Sequence, residues 1–299
     1  MHQNFFARLL LGRQLRSGGW SYFGSEQSSV EATSLAVMAL TTESSEAAQS
    51  GLNHLSDLQR RDGAWPAFVG DTEASWTTAL VLSALNATGE FTSARKKAFH
   101  WLLSERGREG HWLWRWKFKT TDRKVRFDPD KYGWPWDSSS ASWVIPTAFS
   151  IIALKQYTVC NRLEASERRI KLGVEMLLDR MCIAGGWNSG NSVVYSVPLR
   201  PHVEATAIAL LALQDEHRSA VIDKSLEWLK LSAANISAVS SLAWCILCLF
   251  VYQEPVDGLK SRLELLIGDG QNIHDNATLA TAILALHCGE IIHPFVILR

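Results

Sequence analysis

The sequence predicts an all-α protein, an (α/α)6 toroid in which six outer and six inner helices form a closed double ring. Three observations support this fold class. Amphipathic segments alternate with apolar segments, and glycine–tryptophan loops join them. The apolar segment recurs six times along the 299 residues, and its copies end at Leu40, Leu85, Leu154, Leu213, Leu249 and Leu286.

The apolar copies are rich in alanine and leucine and have almost no polar face. The clearest are VEATSLAVMAL at 30–40 and VEATAIALLAL at 203–213. A helix that is hydrophobic all round is buried on all sides, so these copies predict the inner ring. The intervals between their last leucines run from 36 to 69 residues. Helical repeat arrays use about 20 to 50, so the two longest intervals must contain insertions.

The segments between these copies are amphipathic. Each places apolar residues three and four positions apart, and therefore on one helical face. The six stripes begin at Phe6, Leu52, Phe99, Ile170, Ile222 and Leu259. Twelve helices of ordinary length and their loops account for the chain, so a single domain over 1–299 is expected.

Composition limits the function classes. Apolar residues make up 47% and charged residues 20%, and the formal net charge is zero, which favours a globular protein and gives no argument for nucleic-acid binding. The five cysteines predict buried, reduced thiols in a cytoplasmic protein. Cys245 and Cys248 lie inside an apolar segment, so no metal site and no cofactor is expected. No apolar run is long enough to span a membrane.

The loops carry a more specific pattern. Gln14 precedes Trp20 by six residues, and Gln59 precedes Trp65 by six, each with a glycine between them in the order Q-x-x-x-G-x-W. This pattern resembles the QW motif of the squalene–hopene and oxidosqualene cyclases, which recurs in degenerate form in protein prenyltransferase β subunits. The resemblance extends from Gln14 to Leu286. It implies the toroid fold, and it implies that these glutamines and tryptophans brace neighbouring repeats.

The insertion between the second and third repeats is rich in tryptophan. From 111 to 118, aromatic residues alternate with Leu113, Arg115 and Lys117, and period two is typical of a strand. We therefore expect a β-hairpin near 111–127. Trp134 and Trp136 follow it as candidate substrate-binding residues. The insertion is interpreted as a lid over one mouth of the ring. The alternative is a substrate channel or a surface for peripheral membrane contact.

The same resemblance suggests a catalytic acid. In the cyclases the proton donor is the middle aspartate of D-x-D-D at the start of an inner helix. That position is Glu204 here, and His202 and Ala205 replace the outer aspartates. Glu31 is its equivalent in the first repeat. Both are catalytic candidates, with His202 as a partner. The alternative for Glu31 is a capping box with Ser28, and for Glu204 a favourable charge at a helix N-terminus.

Other residues are candidates for contact with a substrate. Trp76, Trp143 and Trp244 lie on or near inner helices. If their rings face the axis they can stabilise a carbocation, and if they face outward they pack between the helix layers. Asp71 and Glu73 precede the second inner helix, either as helix caps or at the cavity mouth.

Three functions are consistent with the sequence. The first is a terpenoid-cyclase-like enzyme, a non-standard class II cyclase or isomerase without D-x-D-D, that acts on an isoprenoid in a central apolar cavity. The second is a non-catalytic toroid that binds a lipid or a partner protein. The third is a relative of the prenyltransferase β subunits. A two-carboxylate glycosidase is disfavoured, because opposite helices of a six-membered ring lie about 20 Å apart.

Overall fold

The computed structural model describes residues 3–120, 127–159, 164–268, 270, 273–290 and 293–297. These residues form a short 3-10 helix at Arg108–Gly110, two short strands and thirteen α-helices. The strands β1 (Val193–Val194) and β2 (Val197–Pro198) pair antiparallel. The helices are α1 (Gln3–Leu11), α2 (Val30–Leu40), α3 (Ser45–Asp57), α4 (Thr77–Thr88), α5 (Thr92–Ser104), α6 (Trp112–Thr120), α7 (Val144–Thr158), α8 (Glu164–Asp179), α9 (Val203–Ala212), α10 (Ala220–Ala233), α11 (Val239–Val251), α12 (Asp257–Ile267) and α13 (Asn276–Leu286).

The inner ring closes on itself. Helices α2, α4, α7, α9, α11 and α13 contact one another in that order, and α13 returns to α2. Each outer helix packs on an inner one: α3 on α2, α5 on α4, α8 on α7, α10 on α9, α12 on α11, and α1 on α13. The predicted double ring of six inner and six outer helices is therefore confirmed.

The inner helices are buried because they have almost no polar face, as the sequence predicted. In α9, every residue from Ala205 to Ala212 is buried, and in α4 the same holds from Thr77 to Leu85. Alanines and threonines let neighbouring backbones approach, while leucines and isoleucines fill the space between the layers. None of the described helices is both long and apolar enough to cross a membrane.

Glutamine and tryptophan side chains tie the repeats together. The fully buried indoles donate hydrogen bonds to outer-helix carbonyls, Trp20 to Leu10 at 2.8 Å and Trp65 to Leu55 at 2.6 Å. Gln59 Nε2 donates to the carbonyl of Gly63 in its own loop and to that of Ala94 in the next outer helix, both at 3.0 Å. Gln14 makes the equivalent pair of bonds. These residues therefore stabilise the ring and do not face a cavity.

The expected β-hairpin near 111–127 is wrong for the part that the structure describes. Residues Trp112–Thr120 form α6, and 121–126 lie outside the described residues. Alternating aromatic and basic residues also suit an exposed helix, because residues four apart then share a face: Trp114 and Phe118 have ring centroids 6.2 Å apart. A helix satisfies its own backbone hydrogen bonds, whereas an isolated two-stranded ribbon is marginal in water.

A two-stranded ribbon does occur, in the other long insertion. Strands β1 and β2 are joined by Tyr195 and Ser196, with φ of 49° and 62°. Positive φ at both central residues is the geometry of the hairpin turn that matches the natural strand twist. Both insertions, 105–143 and 180–202, lead from an outer helix into an inner one. They therefore lie at the end of the ring where the inner helices begin, which we call the mouth.

Candidate functional site

Three carboxylates converge at the mouth. Glu31 is in the first turn of α2, Glu204 is in the first turn of α9, and Asp275 is the N-cap of α13. Helices α2 and α9 are opposite members of the ring, whereas α13 is the neighbour of α2. The fold therefore collects at one opening three acids that are far apart in sequence.

Glu31 has the most unusual environment. Its side chain is half-buried, and its Oε2 accepts a hydrogen bond from the hydroxyl of Tyr22. Burial raises the pKa of Glu31 to about 7, and the charges of Asp275 and Glu204 also raise it, against the opposing effect of the Tyr22 hydrogen bond. Glu31 is therefore partly protonated near neutral pH.

Glu204 resembles Glu31 in its burial and in the direction of its pKa shift. It is half-buried, and burial followed by the charge of Asp275 raises its pKa above the usual range for a glutamate. His202 is exposed and its side chain does not cap α9, although its backbone N–H donates to the carbonyl of Trp187 at 2.7 Å. The structure thus places Glu204 in the acidic cluster and leaves His202 at its solvent side.

One sequence interpretation of these acids needs correction, and another stays a prediction. The capping box is wrong, because Ser29 is the N-cap of α2 and Ser28 Oγ bonds to His54 Nε2 at 2.7 Å. Glu31 is left to bond with Tyr22. The charge of Glu204 contributes least to the raised pKa of Glu31, and the argument from ring diameter stays a prediction.

Asp71 and Glu73 lie at the rim and not on a helix. The N-cap of α4 is Trp76, without a side-chain cap, so the expected capping role is wrong. Asp71 accepts hydrogen bonds from the backbone N–H groups of Ala67 and Glu73, at 3.3 and 3.0 Å, and so holds its own loop. Glu73 is exposed. Asp275, by contrast, caps α13, accepting from the N–H groups of Ala277 and Thr278.

Several tryptophans lie at the same end of the ring as the acids. Trp76 and Trp136 are half-buried and meet edge to face with ring centroids 5.0 Å apart. Trp76 also contacts Phe149, at 5.6 Å between centroids. Trp143 is half-buried beside the Gly190 loop. Trp134 is only 1% exposed, donates to the Leu102 carbonyl and packs under a guanidinium, so it has no surface to offer a ligand.

The centre of the ring is packed with aromatic side chains. Phe149 of α7 and Trp244 of α11 have centroids 5.5 Å apart, although α9 separates these two helices in the ring. Their contact can therefore be made only across the interior. Phe295 touches both rings, at 5.9 and 5.1 Å. Since Phe149, Trp244 and Phe295 are at most 4% exposed, this part of the expected central cavity is filled.

Cavities of about 620, 470 and 790 Å³ lie elsewhere, away from this aromatic packing. Within the described ranges, no group of three or more histidines, cysteines or acids is placed to hold a metal ion. Cys182, Cys245, Cys248 and Cys288 are buried free thiols, as expected, and Cys160 lies outside the described residues. Burial raises the pKa of Cys245 to about 12, which makes it an inert thiol.

Sequence reasoning missed Tyr22, Phe149 and Phe295. Tyr22 follows Trp20 by two residues, so its place in a glycine–tryptophan loop was the one available signal that it lies at the mouth. Phe149 is one apolar residue among many in α7. Phe295 lies beyond the last repeat, where no periodic pattern predicts its position.

Comparison with known proteins identifies the fold. Neither a family model nor a curated protein sequence matches the chain. An inactive variant of an α-1,6-mannanase from Salegentibacter, solved with α-1,6-mannotriose, superposes with a TM-score of 0.64 at 9% identity, over 96% of this chain and 97% of the other. The chain has the α/α-toroid fold.

Other toroids of different activity superpose as well. A family 8 endoglucanase from Klebsiella pneumoniae gives a TM-score of 0.60 at 12% identity, over 95% of this chain and 99% of the other. A type II terpene cyclase from Scytonema gives 0.50 at 18% identity, over 77% of this chain and 66% of the other. At these identities the likeness establishes the fold alone, and function must be argued from the site.

Proposed function

We propose that the protein is an acid–base enzyme that isomerises or cyclises an isoprenoid at the mouth of the toroid. The observation that carries this proposal is the cluster of Glu31, Glu204 and Asp275 at the end of the ring that also carries the Trp76–Trp136 pair. An acid with a raised pKa beside other carboxylates is the arrangement expected of a general acid and its base.

The roles follow from the environments. Protonated Glu31, oriented by Tyr22, gives its proton to the substrate, and the Glu204 carboxylate removes a proton from a neighbouring carbon. One proton enters and one leaves, so the product is an isomer of the substrate. An acid with a pKa of about 7 is too weak for a plain alkene. The substrate therefore carries an epoxide or an allylic oxygen, and Trp76 and Trp136 stabilise the developing cation.

The aromatic side chains packed along the ring axis limit how a substrate can lie at the mouth. Phe149, Trp244 and Phe295 fill the middle of the ring, so only the reacting end of an isoprenoid enters the mouth. The rest of the chain lies along the rim, where Phe23 is 73% and Phe68 is 45% exposed. The toroid shared with a type II terpene cyclase supports this proposal.

The test is mass spectrometry of lipids that co-purify with the protein, followed by turnover of the lipid that is found. Wild-type protein is expected to convert it, whereas Glu204→Gln is expected to retain the substrate unchanged. Glu26→Gln, an exposed glutamate in a mouth loop, is the matched control and should act as wild type. Full turnover by Glu204→Gln would contradict the proposal.

Hydrolysis of a glycoside is the second candidate. The specific observation in its favour is that the charge of Glu204 is among those that raise the pKa of Glu31 from across the mouth, and a glycosidase needs an acid and a second carboxylate. Neighbours with that activity align over nearly the whole chain. Incubation with α-1,6-mannotriose and cello-oligosaccharides distinguishes the two candidates: release of reducing ends that is lost in Glu31→Gln establishes the glycosidase and excludes the isoprenoid enzyme.

We further propose that α6 holds the mouth against an anionic membrane surface. No residue of this helix is buried, and Trp112 is 78%, Leu113 55% and Trp116 61% exposed. The helix carries Arg115, Lys117 and Lys119 and no acid. Exposed tryptophans beside basic residues suit the headgroup region of a bilayer.

Co-sedimentation with vesicles tests this contact. The protein is expected to bind phosphatidylglycerol vesicles more strongly than phosphatidylcholine vesicles, and the double variant Trp112→Ala/Trp116→Ala should lose about tenfold or more in affinity. Leu265→Ala removes an equally exposed apolar side chain from the outer helix α12 and should change nothing. Equal binding by the double variant and the wild type would refute the contact.

A further inference from the structure

A backbone hydrogen bond recurs between the start of an inner helix and the next glycine–tryptophan loop. The first N–H groups of a helix have no acceptor within the helix, so they need one outside it. In three repeats the first residue of the inner helix donates its N–H to a loop carbonyl: Val30 to Ala67 at 3.0 Å, Val144 to Ser189 at 3.0 Å, and Asn276 to Tyr22 at 3.2 Å. Each acceptor lies two residues after the loop tryptophan, so the bond from α13 that closes the ring follows the same pattern.

Asn276 differs from the residue that most repeats use at this position. Four of the six inner helices begin with a valine: Val30 in α2, Val144 in α7, Val203 in α9 and Val239 in α11. The backbone bond therefore requires no polar side chain. Asn276 is only 1% exposed, and its Nδ2 donates to the Ser21 carbonyl at 2.8 Å. Its Oδ1 accepts from Arg13 Nη1 at 3.3 Å, so its buried amide makes two bonds that valine cannot make.

The amide of Asn276 acts on the loop that carries Tyr22. Ser21 and Tyr22 are consecutive, and Asn276 binds the carbonyl of the first with its side chain and that of the second with its backbone. Every residue of the loop from 22 to 27 is exposed. The anchored carbonyls therefore fix the point from which the Tyr22 side chain reaches its hydrogen bond with Glu31.

We propose that Asn276 is a positioning residue whose amide holds the first loop so that the Tyr22 hydroxyl reaches Glu31. This role rests on the proposed function only in taking Glu31 as the proton donor, because the hydrogen bonds themselves involve no substrate. The last inner helix thus orients the acid of the first, and closure of the ring completes the site.

The charged and titratable groups that face Glu31 come from three elements. Tyr22 lies in the first loop, Glu204 in α9 and Asp275 at the start of α13. The two acids raise the pKa of Glu31 by charge, whereas the Tyr22 hydrogen bond lowers it because it stabilises the ionised form. An amide that holds Tyr22 in place therefore lowers the pKa of Glu31 without touching it.

A titration of the full-length chain labelled with [13C]glutamate tests this role, with the Glu31 signal identified by its absence in Glu31→Gln. Tyr22→Phe is expected to raise the pKa of Glu31 by about 1, since it removes a hydrogen bond to a charged group. Asn276→Val, which gives α13 the first residue of α2 and α7, is expected to raise it by about 0.5 to 1. The double variant should match Tyr22→Phe alone, because both changes remove the same contact.

Asn86→Val is the matched control. Asn86 Nδ2 donates to the Ala153 carbonyl and its Oδ1 accepts from Arg95 Nε, both at 3.1 Å, but it lies near the end of α4, away from the mouth. Its replacement should leave the pKa of Glu31 unchanged. If Asn276→Val does not fold, Asn276→Ala removes the same amide and should give the same shift.

The outcomes separate this role from the proposed function. An unchanged pKa of Glu31 in Asn276→Val, or shifts that add in the double variant, would overturn the positioning role and leave the enzyme proposal standing. A wild-type protein that turns over no lipid would contradict the enzyme proposal, whereas matching pKa values in Tyr22→Phe and the double variant would still support the action of Asn276 through Tyr22.

Discussion

Replacing Glu31 by glutamine is expected to lower turnover by about 10²- to 10⁴-fold, the usual contribution of a positioned general acid. Glutamine keeps the size of the side chain and can still accept the Tyr22 hydrogen bond, but it has no proton to give. The loss should appear in kcat with little change in KM, because the substrate contacts at the tryptophans remain. Turnover of the wild type should fall as pH rises through about 7, as Glu31 loses its proton.

The same substitution should increase stability in alkaline solution. The pKa of Glu31 is about 7 in the folded chain against 4.5 ordinarily, so between these values the folded state binds more protons than the unfolded state. Stability contributed by Glu31 is therefore lost as pH rises from about 4.5 to 7. Glutamine does not ionise, so near pH 8 we expect Glu31→Gln to be more stable than the wild type by about 1 kcal/mol in urea denaturation.

Glu26→Gln is the control for both effects, because Glu26 is exposed and should alter neither turnover nor stability. A Glu31→Gln variant that is fully active would remove Glu31 from the mechanism. A variant that is inactive but no more stable at alkaline pH would show that the Glu31 carboxylate is solvated in the folded state, and would therefore contradict its role as the proton donor.

The second large effect concerns the ion pair beneath the insertion. Glu109 is fully buried and accepts the backbone N–H of Ser142 with both oxygens, at 3.1 and 3.2 Å. Arg180 is 2% exposed, and its Nη2 lies 3.8 Å from Glu109 Oε1. Glu109→Ala leaves a buried guanidinium without its main counter-charge. We expect the free energy of unfolding to fall by about 3–5 kcal/mol.

Urea denaturation measures this loss, and Glu164→Ala is the matched control. Glu164 also pairs with an arginine but is 82% exposed, so its removal should cost less than about 0.5 kcal/mol. The double variant Glu109→Leu/Arg180→Met should recover much of the stability, because it removes both buried charges together. A cost below about 1 kcal/mol for Glu109→Ala would show that water reaches Arg180.

The sequence predicted the ring because its signals are local and repeated. All-apolar helices such as α9 and amphipathic partners such as α10 follow from periodicity, and the loops with Trp20 and Trp65 follow from a spaced motif. The hairpin near 111–127 failed because alternating aromatic and basic residues suit either a strand or an exposed helix. The segment forms a helix, because a helix satisfies its own backbone hydrogen bonds.

The site was harder to predict because its residues come from helices on opposite sides of the ring. Glu204 and Glu31 were recognisable as equivalent positions in the repeat, but the effect of the Glu204 charge on the pKa of Glu31 depends on how far side chains reach across the opening. Tyr22 bonds to Glu31 from a glycine–tryptophan loop, whose motif predicts a bracing role for Trp20 and no role for Tyr22. Phe295 fills the axis from outside the repeats altogether, so only the three-dimensional structure shows that the expected cavity is occupied there.

The contact between α13 and α2 has a further consequence for this architecture. Open arrays of helical pairs need polar terminal units to shield their last apolar surfaces, and they can fray from either end. A circular array has no terminal unit, so deleting one pair would expose two interfaces at once and force the remaining five to reclose at a different curvature. Such a chain can therefore gain or lose a repeat far less easily than an open solenoid can. We expect most of its sequence change to occur in the loops.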